Sequence, residues 1–122
     1  MDAVLVRRSF VAFHLTLGLG LLLGSVQTLL HALAPANRHR PSHQHLALIA
    51  AVEAIAAILF VLPGTLRPGA LLLVLAIGLA FIAHAIHGEW RPDLAIYATG
   101  AWFVFVHGHG LQRRAAGPDV AV

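Results

Sequence analysis

The sequence has no cysteine. Disulfides, thiolate metal sites, iron–sulfur clusters and thiol redox chemistry are therefore excluded. It has no lysine either, and all eight basic residues are arginine. Charged residues make up only 11% of the chain, where a soluble domain carries roughly 25%. The formal net charge of +3 is scattered over the ends and the segments between apolar runs. A basic balance spread in this way does not describe a nucleic-acid surface. A glycine-rich phosphate loop after a strand, an HExxH helix and a Gly-x-Ser-x-Gly elbow are all missing. "GLGLLLG" lies inside an apolar run and so is no nucleotide loop. Ser9, Ser25 and Ser42 have no His/Asp partner at motif spacing.

Hydrocarbon is what the chain has in excess. Hydrophobic residues make up 59% of it, and the mean hydropathy is +0.83. A soluble chain of 122 residues cannot hide that much apolar surface, because small domains leave much of their surface exposed. The composition predicts an all-α, polytopic membrane four-helix bundle, a single domain over residues 1–122. Four spans are expected at about 10–33, 46–62, 70–87 and 93–108, with a disordered tail from about 112 to 122. The breaks between them, "APANRHRPSHQH", "PGTLRPG" and "HGEWRPD", collect the proline, glycine and charge. A helix needs about 17 to 25 residues to cross a bilayer, so the fourth span is short. Pro92 suits its first turn, where a missing N–H costs nothing.

Arginine placement predicts the orientation. With the N-terminus inside, Arg7, Arg8, Arg67, Arg113 and Arg114 lie on the inner side, and Arg38, Arg40 and Arg91 on the outer. Both termini are expected in the cytoplasm. "VRRSFVAF", an apolar stretch and "ALA" also resemble a secretory or twin-arginine signal cleaved after Ala34. Such cleavage would leave three spans. The stretch is longer than the roughly 7 to 15 residues of a signal core, which favours a first span. Gly20 with Gly24, Ala47 with Ala51, and Ala50 with Ala54 are small-xxx-small pairs suited to close helix approach.

Against this background one residue stands out. "LALIAAVEAIAAILFVLPG" is apolar except for Glu53. An ionised carboxylate in hydrocarbon costs several kcal/mol unless it is paired, hydrated or protonated. At about 1.5 Å per residue, Glu53 lies about 10 Å below the outer surface. Gln27 falls at a similar depth on the first span, with His31 one turn above it on the same face. His84 and His87 end the third span, and Tyr97 lies about one turn into the fourth. Polar groups in membranes usually face the bundle interior, so these are expected to converge in the outer half. Two readings are open for Glu53: a hydrogen-bonded clamp that fixes helix register, or a proton-handling group in a ligand pocket.

The remaining histidines admit other chemistry. His14 and His107 lie near the inner ends of the first and fourth spans. They are either snorkelling interfacial side chains or one pair of axial ligands for haem b, with His31 and His84 as a second pair. His39, His43 and His45 make the outer loop histidine-rich. Such tracts either bind a transition metal or simply titrate near neutral pH.

The second half of the chain resembles the DoxX-like family of small four-span bacterial membrane proteins. The residues that carry the likeness are Glu53 early in the second span, Gly64 at the end of the following run, and Arg67 in a short loop. His84 near the end of the third span, Asp93 before the fourth, and Gly108 and Gly110 at its close complete the pattern. Gln27 stands where the family usually has a basic residue near the outer end of the first span. The resemblance implies a subunit or membrane anchor of a quinone-linked redox complex rather than a stand-alone enzyme. On that basis Glu53, His84, Gln27, His31, Tyr97 and His87 are expected around a ligand pocket, quinone being the ligand implied. Glu53 would be the proton partner, and His84 a donor to a quinone carbonyl. The alternative is a haem b or transition-metal protein using His14, His31, His84 and His107. A structural membrane protein without a cofactor is the third reading. Partners expected are the lipid bilayer and a protein of the redox complex, with a homo-oligomer also open.

Overall fold

The structure, a computed structural model, describes residues 2–115. Its regular elements are all helical: α1 (Ala3–Leu33), α2 (Pro41–Val61), a single 3-10 turn (Pro63–Thr65), α3 (Leu66–Ile86) and α4 (Pro92–Ala115). Among the described residues there is no strand. Helices α1 and α2 and the stretch Pro63–Ile86 are long and apolar enough to cross a membrane, which embeds the chain in one. Over its described residues α4 falls short of that measure. It carries Asp93, Tyr97, Thr99 and His107 in place of aliphatic residues.

Each helix runs beyond its apolar run. Asp2 caps α1, its carboxylate accepting from the Val4 N–H at 3.2 Å, as an N-cap side chain does. Pro41 opens α2 at a position where no N–H is needed. The α2 start therefore lies at Pro41 rather than near Leu46, and His43 and His45 are helical, not loop. Helix α4 continues to Ala115. The expected disordered tail otherwise falls on residues 116–122, outside the described residues.

Proline also sets the sharp corner between α2 and α3. Pro63 has no N–H, so the Leu59 carbonyl loses its helical donor. The Thr65 hydroxyl donates to it instead, at 2.8 Å. The Phe60 carbonyl, in the same last turn, accepts from His14 Nε2 of α1 at 2.6 Å. Beyond the corner α3 packs directly on the α2 backbone. A Cβ on Gly69 would collide with the Phe60 amide nitrogen. Gly18 of α1 closes on Val61 and the Phe60 ring in the same layer.

The bundle is ordered α1–α2–α3–α4, with α4 returning more lightly to α1. That return is aromatic: Phe103 meets Phe10 and Phe13 with ring centroids 6.2 and 6.1 Å apart. Phe60, Leu73, Ile77 and Val104 fill the centre. Around them Ala56, Ala57, Ala70 and Ala101 are fully buried and keep the helices close. Gly20 and Gly24 do not make the helix contact their spacing suggests, since an added Cβ there meets nothing within 4 Å. Closest approach occurs at Gly18 and Gly69 instead. Leu23, Leu48, Leu79 and Ile86 are each more than half exposed. In lipid such an apolar exterior costs nothing, since no hydrophobic effect separates helix from acyl chain.

Gly69→Ala is expected to cost about 1–3 kcal/mol, as overpacking does, because backbone rather than a flexible side chain blocks the new methyl. Gly78→Ala, with open space around it, is expected to be neutral. Unfolding by SDS titration of protein in mild detergent measures both.

Candidate functional site

The polar residues around Glu53 are brought in by all four helices. Helix α1 contributes Ser25 and Thr28, whose hydroxyls donate to the Leu21 and Gly24 carbonyls at 2.7 and 3.0 Å. Such back-bonding satisfies a hydroxyl without a partner on another helix. Their oxygens keep lone pairs for a neighbour. Helix α2 contributes Glu53, half-buried, whose carboxyl faces the Ser25 hydroxyl. The end of α3 contributes His84. Arg91, Asp93 and Tyr97 come from the start of α4 and the turn before it. Together these side chains line one cavity of about 240 Å³. Gly20, Gly24, Ala50 and Ala80 make the rest of its wall small, so room is left beside the carboxyl.

Two ion pairs shape the mouth. Arg91 holds Asp93 through two bonds, Nε to Oδ1 at 3.0 Å and Nη2 to Oδ2 at 2.8 Å. The hydrogen bond to Asp93 pushes the Arg91 guanidinium above its ordinary value. A solvated pair of this kind contributes only about 0–1 kcal/mol, so its effect is to order the start of α4. His84 Nδ1 lies 2.7 Å from Glu89 Oε2. Gly88, at φ 77, makes the turn that brings Glu89 back, since glycine adopts positive φ without strain. The Glu89 N–H also bonds the His84 carbonyl at 2.9 Å.

This pairing changes the role expected of His84. A neutral imidazole that donates from Nδ1 to a carboxylate presents a lone pair at Nε2. In that tautomer Nε2 accepts, and it donates only when the ring carries both protons. A second cavity, of about 340 Å³, opens on the far side of His84. It is bordered by His43, His45, His87 and Glu89, and shares Leu46, Ile49 and Ala80 with the first.

Glu53, His84 and Tyr97 line one cavity, and His87 borders the adjoining one. Gln27 and His31 do not join them, and both are exposed. Gln27 is two residues from Ser25, about 200° around the helix, and so points away. The His31 ring sits over His43 instead, at a centroid distance of 6.1 Å. Ser25, Thr28, Arg91 and Asp93 take the places Gln27 and His31 were expected to fill. The stripe Gly20, Gly24, Thr28 at spacing four carries the signal for the α1 wall.

The haem pairs do not form. His14 is 6% exposed, its Nε2 engaged with the Phe60 carbonyl and its ring edge-on to Phe60 at 4.6 Å. A carbonyl only accepts, so Nε2 carries the proton and has no lone pair for iron. His107 bonds the Phe103 carbonyl of its own helix from Nδ1 at 3.0 Å. It borders an apolar groove of about 550 Å³ between α1 and α4, which His14 does not line. His31 and His84 face different surroundings, as above. Among the described residues no three His, Asp or Glu side chains already stand around one metal position.

The chain matches no family model, no curated protein and no solved structure.

His14→Ala is expected to destabilise the bundle by about 1–3 kcal/mol, the cost of leaving a buried carbonyl without its donor. Ligand binding in the outer cavity is expected to be unchanged in the same variant. Unfolding and ligand titrations on one preparation check both halves.

Proposed function

We propose that this chain is a four-span, DoxX-like protein of a bacterial inner membrane, a subunit or anchor of a quinone-linked redox complex. Both termini lie in the cytoplasm, and the outer cavity takes a quinone headgroup. The observation that carries this reading is the cavity around Glu53, to which every helix contributes a polar group. Drug-sized ligands occupy pockets of about 300–1,000 Å³. At about 240 Å³ this cavity suits a single substituted ring whose tail runs out into lipid. Polar and charged side chains share its lining with the small or apolar Gly20, Gly24, Ala50, Ala80 and Leu94.

The chemistry divides among named groups. Tyr97 and Arg91 are the donors available to a quinone carbonyl. His84 Nε2, with Glu89 behind it, accepts the hydroxyl proton of a quinol. Glu53 takes or returns the other proton. Electrons leave to the partner protein, since the chain has no cysteine to hold a cluster and its haem-type histidine pairs do not form. Intramembrane carboxylates commonly mark such proton steps, and this supports the reading over that of a register clamp.

Glu53→Gln keeps size and removes the charge. Loss of a hydrogen bond to a charged group is worth about 1.5–3 kcal/mol, or roughly tenfold to a hundredfold in affinity. Binding of a short-chain ubiquinone analogue, followed by quenching of tryptophan fluorescence, is expected to weaken by that factor while membrane insertion is unchanged. Equal binding by the variant would remove Glu53 from the site. The topology is tested separately with introduced cysteines, because the chain has none of its own. Ser42→Cys and Gly64→Cys, both at exposed positions, are expected to react with an impermeant maleimide from the periplasmic and cytoplasmic sides respectively. Labelling of both from one side would overturn the four-span arrangement.

A further inference from the structure

We infer that the second cavity, on the outer side of His84, is a binding site for a divalent ion of the zinc–copper–nickel class. His43, His84 and His87 are its ligands, and Glu89 orients one of them. It shares His84 Nε2 and Glu89 with the quinone reading, so the two ligands would compete for that nitrogen, whereas His43 and His87 border this cavity alone.

Two observations point to a ligand there. The first is the His84–Glu89 pair. Metal-binding histidines almost always give their second ring N–H to a carboxylate or carbonyl, which fixes the tautomer and strengthens the donor nitrogen. His84 meets that condition through Nδ1 at 2.7 Å, leaving Nε2 as the free donor. The second is His43. Its Nδ1 is buried and has no hydrogen-bond partner among the described residues. A buried nitrogen without a partner is rare and costly. Both residues border the same cavity of about 340 Å³. His87 lies three residues beyond His84 and borders that cavity too, so α3 offers two imidazoles to one space.

The donor set selects the ion. Imidazole nitrogens suit zinc, copper and nickel, while calcium and magnesium require oxygen cages. Three histidines would leave a fourth tetrahedral position open, as at non-structural zinc sites. Leu46, Ile49, Ala80 and Ala83 form an apolar floor, which limits competition from water. The three nitrogens do not yet surround one point. His87 is exposed and His43 half-buried, so closing the site requires these side chains to reorient around His84. Ordering those side chains subtracts from affinity, which places the site below a preformed structural zinc centre in strength.

The test uses the full chain, purified through a tag without histidine, stripped with chelator and held in mild detergent. Zn²⁺ is titrated calorimetrically, with Co²⁺ absorption as a reporter of nitrogen coordination. One Zn²⁺ per chain is expected. His43→Ala, His84→Ala and His87→Ala are each expected to weaken binding at least tenfold. Glu89→Gln is expected to weaken it by roughly 10–100-fold, as loss of an orienting partner does. His39→Ala, which removes a histidine outside the cavity, is expected to leave it unchanged. Glu89 lies in an exposed turn, so its variant reports on the site even where a histidine variant fails to fold. No saturable Zn²⁺ uptake by the wild type overturns the inference, as does uptake unaffected by both His84→Ala and Glu89→Gln.

Discussion

A backbone carbonyl buried in lipid must find a donor, and Pro63 takes one away. The corner between α2 and α3 is built around that constraint. Thr65 supplies a hydroxyl to Leu59, and His14 reaches across from α1 to Phe60. Each of these bonds spans elements that would otherwise be free to slide. The His14 bond ties α1 to the end of α2, and the corner fixes where α3 begins. Gly69 then lets α3 lie against the α2 backbone without a side chain between them. Glu53 and His84 lie away from this corner, toward the other end of those helices.

The two ends of the bundle are thus packed differently. The end at the α2–α3 corner is tight and aromatic, with Phe10 and Phe60 against His14 and Phe103 against Phe10. Around Glu53, Gly20, Gly24 and Ala50 remove side-chain volume beside the carboxyl. Dense packing at one end holds the helices while the other end stays hollow. His84 lines both cavities. Its Nδ1 faces Glu89 in the turn that Gly88 makes.

Some of this is legible in the sequence. Glu53 is visible as the one charged residue in an apolar run, because the cost of burying charge is large wherever the run lies. His84 and Tyr97 follow once the helices alternate in direction, since depth along a helix depends only on residue count. Gln27 and His31 fail on the other coordinate. Depth does not fix which way a side chain points, and in a helix apolar on every side no hydrophobic stripe marks the inner face. The hydroxyls of Ser25 and Thr28 go unnoticed for the same reason. They are small and weakly polar, and only the neighbouring Glu53 gives them significance.

By itself, then, the sequence determined the apolar, membrane-spanning character, the helical class, the breaks at proline and glycine, and the position of each polar residue along its helix. Composition and one-dimensional spacing carry all of these. Only the tertiary structure decided the facing of α1, the use of His14 as a bond to Phe60, and the pairing of His84 with Glu89. Each depends on rotation about a helix axis, on a turn, or on a contact between residues distant in the chain. His14 and Phe60 are 46 positions apart, and nothing local to either one shows that they meet.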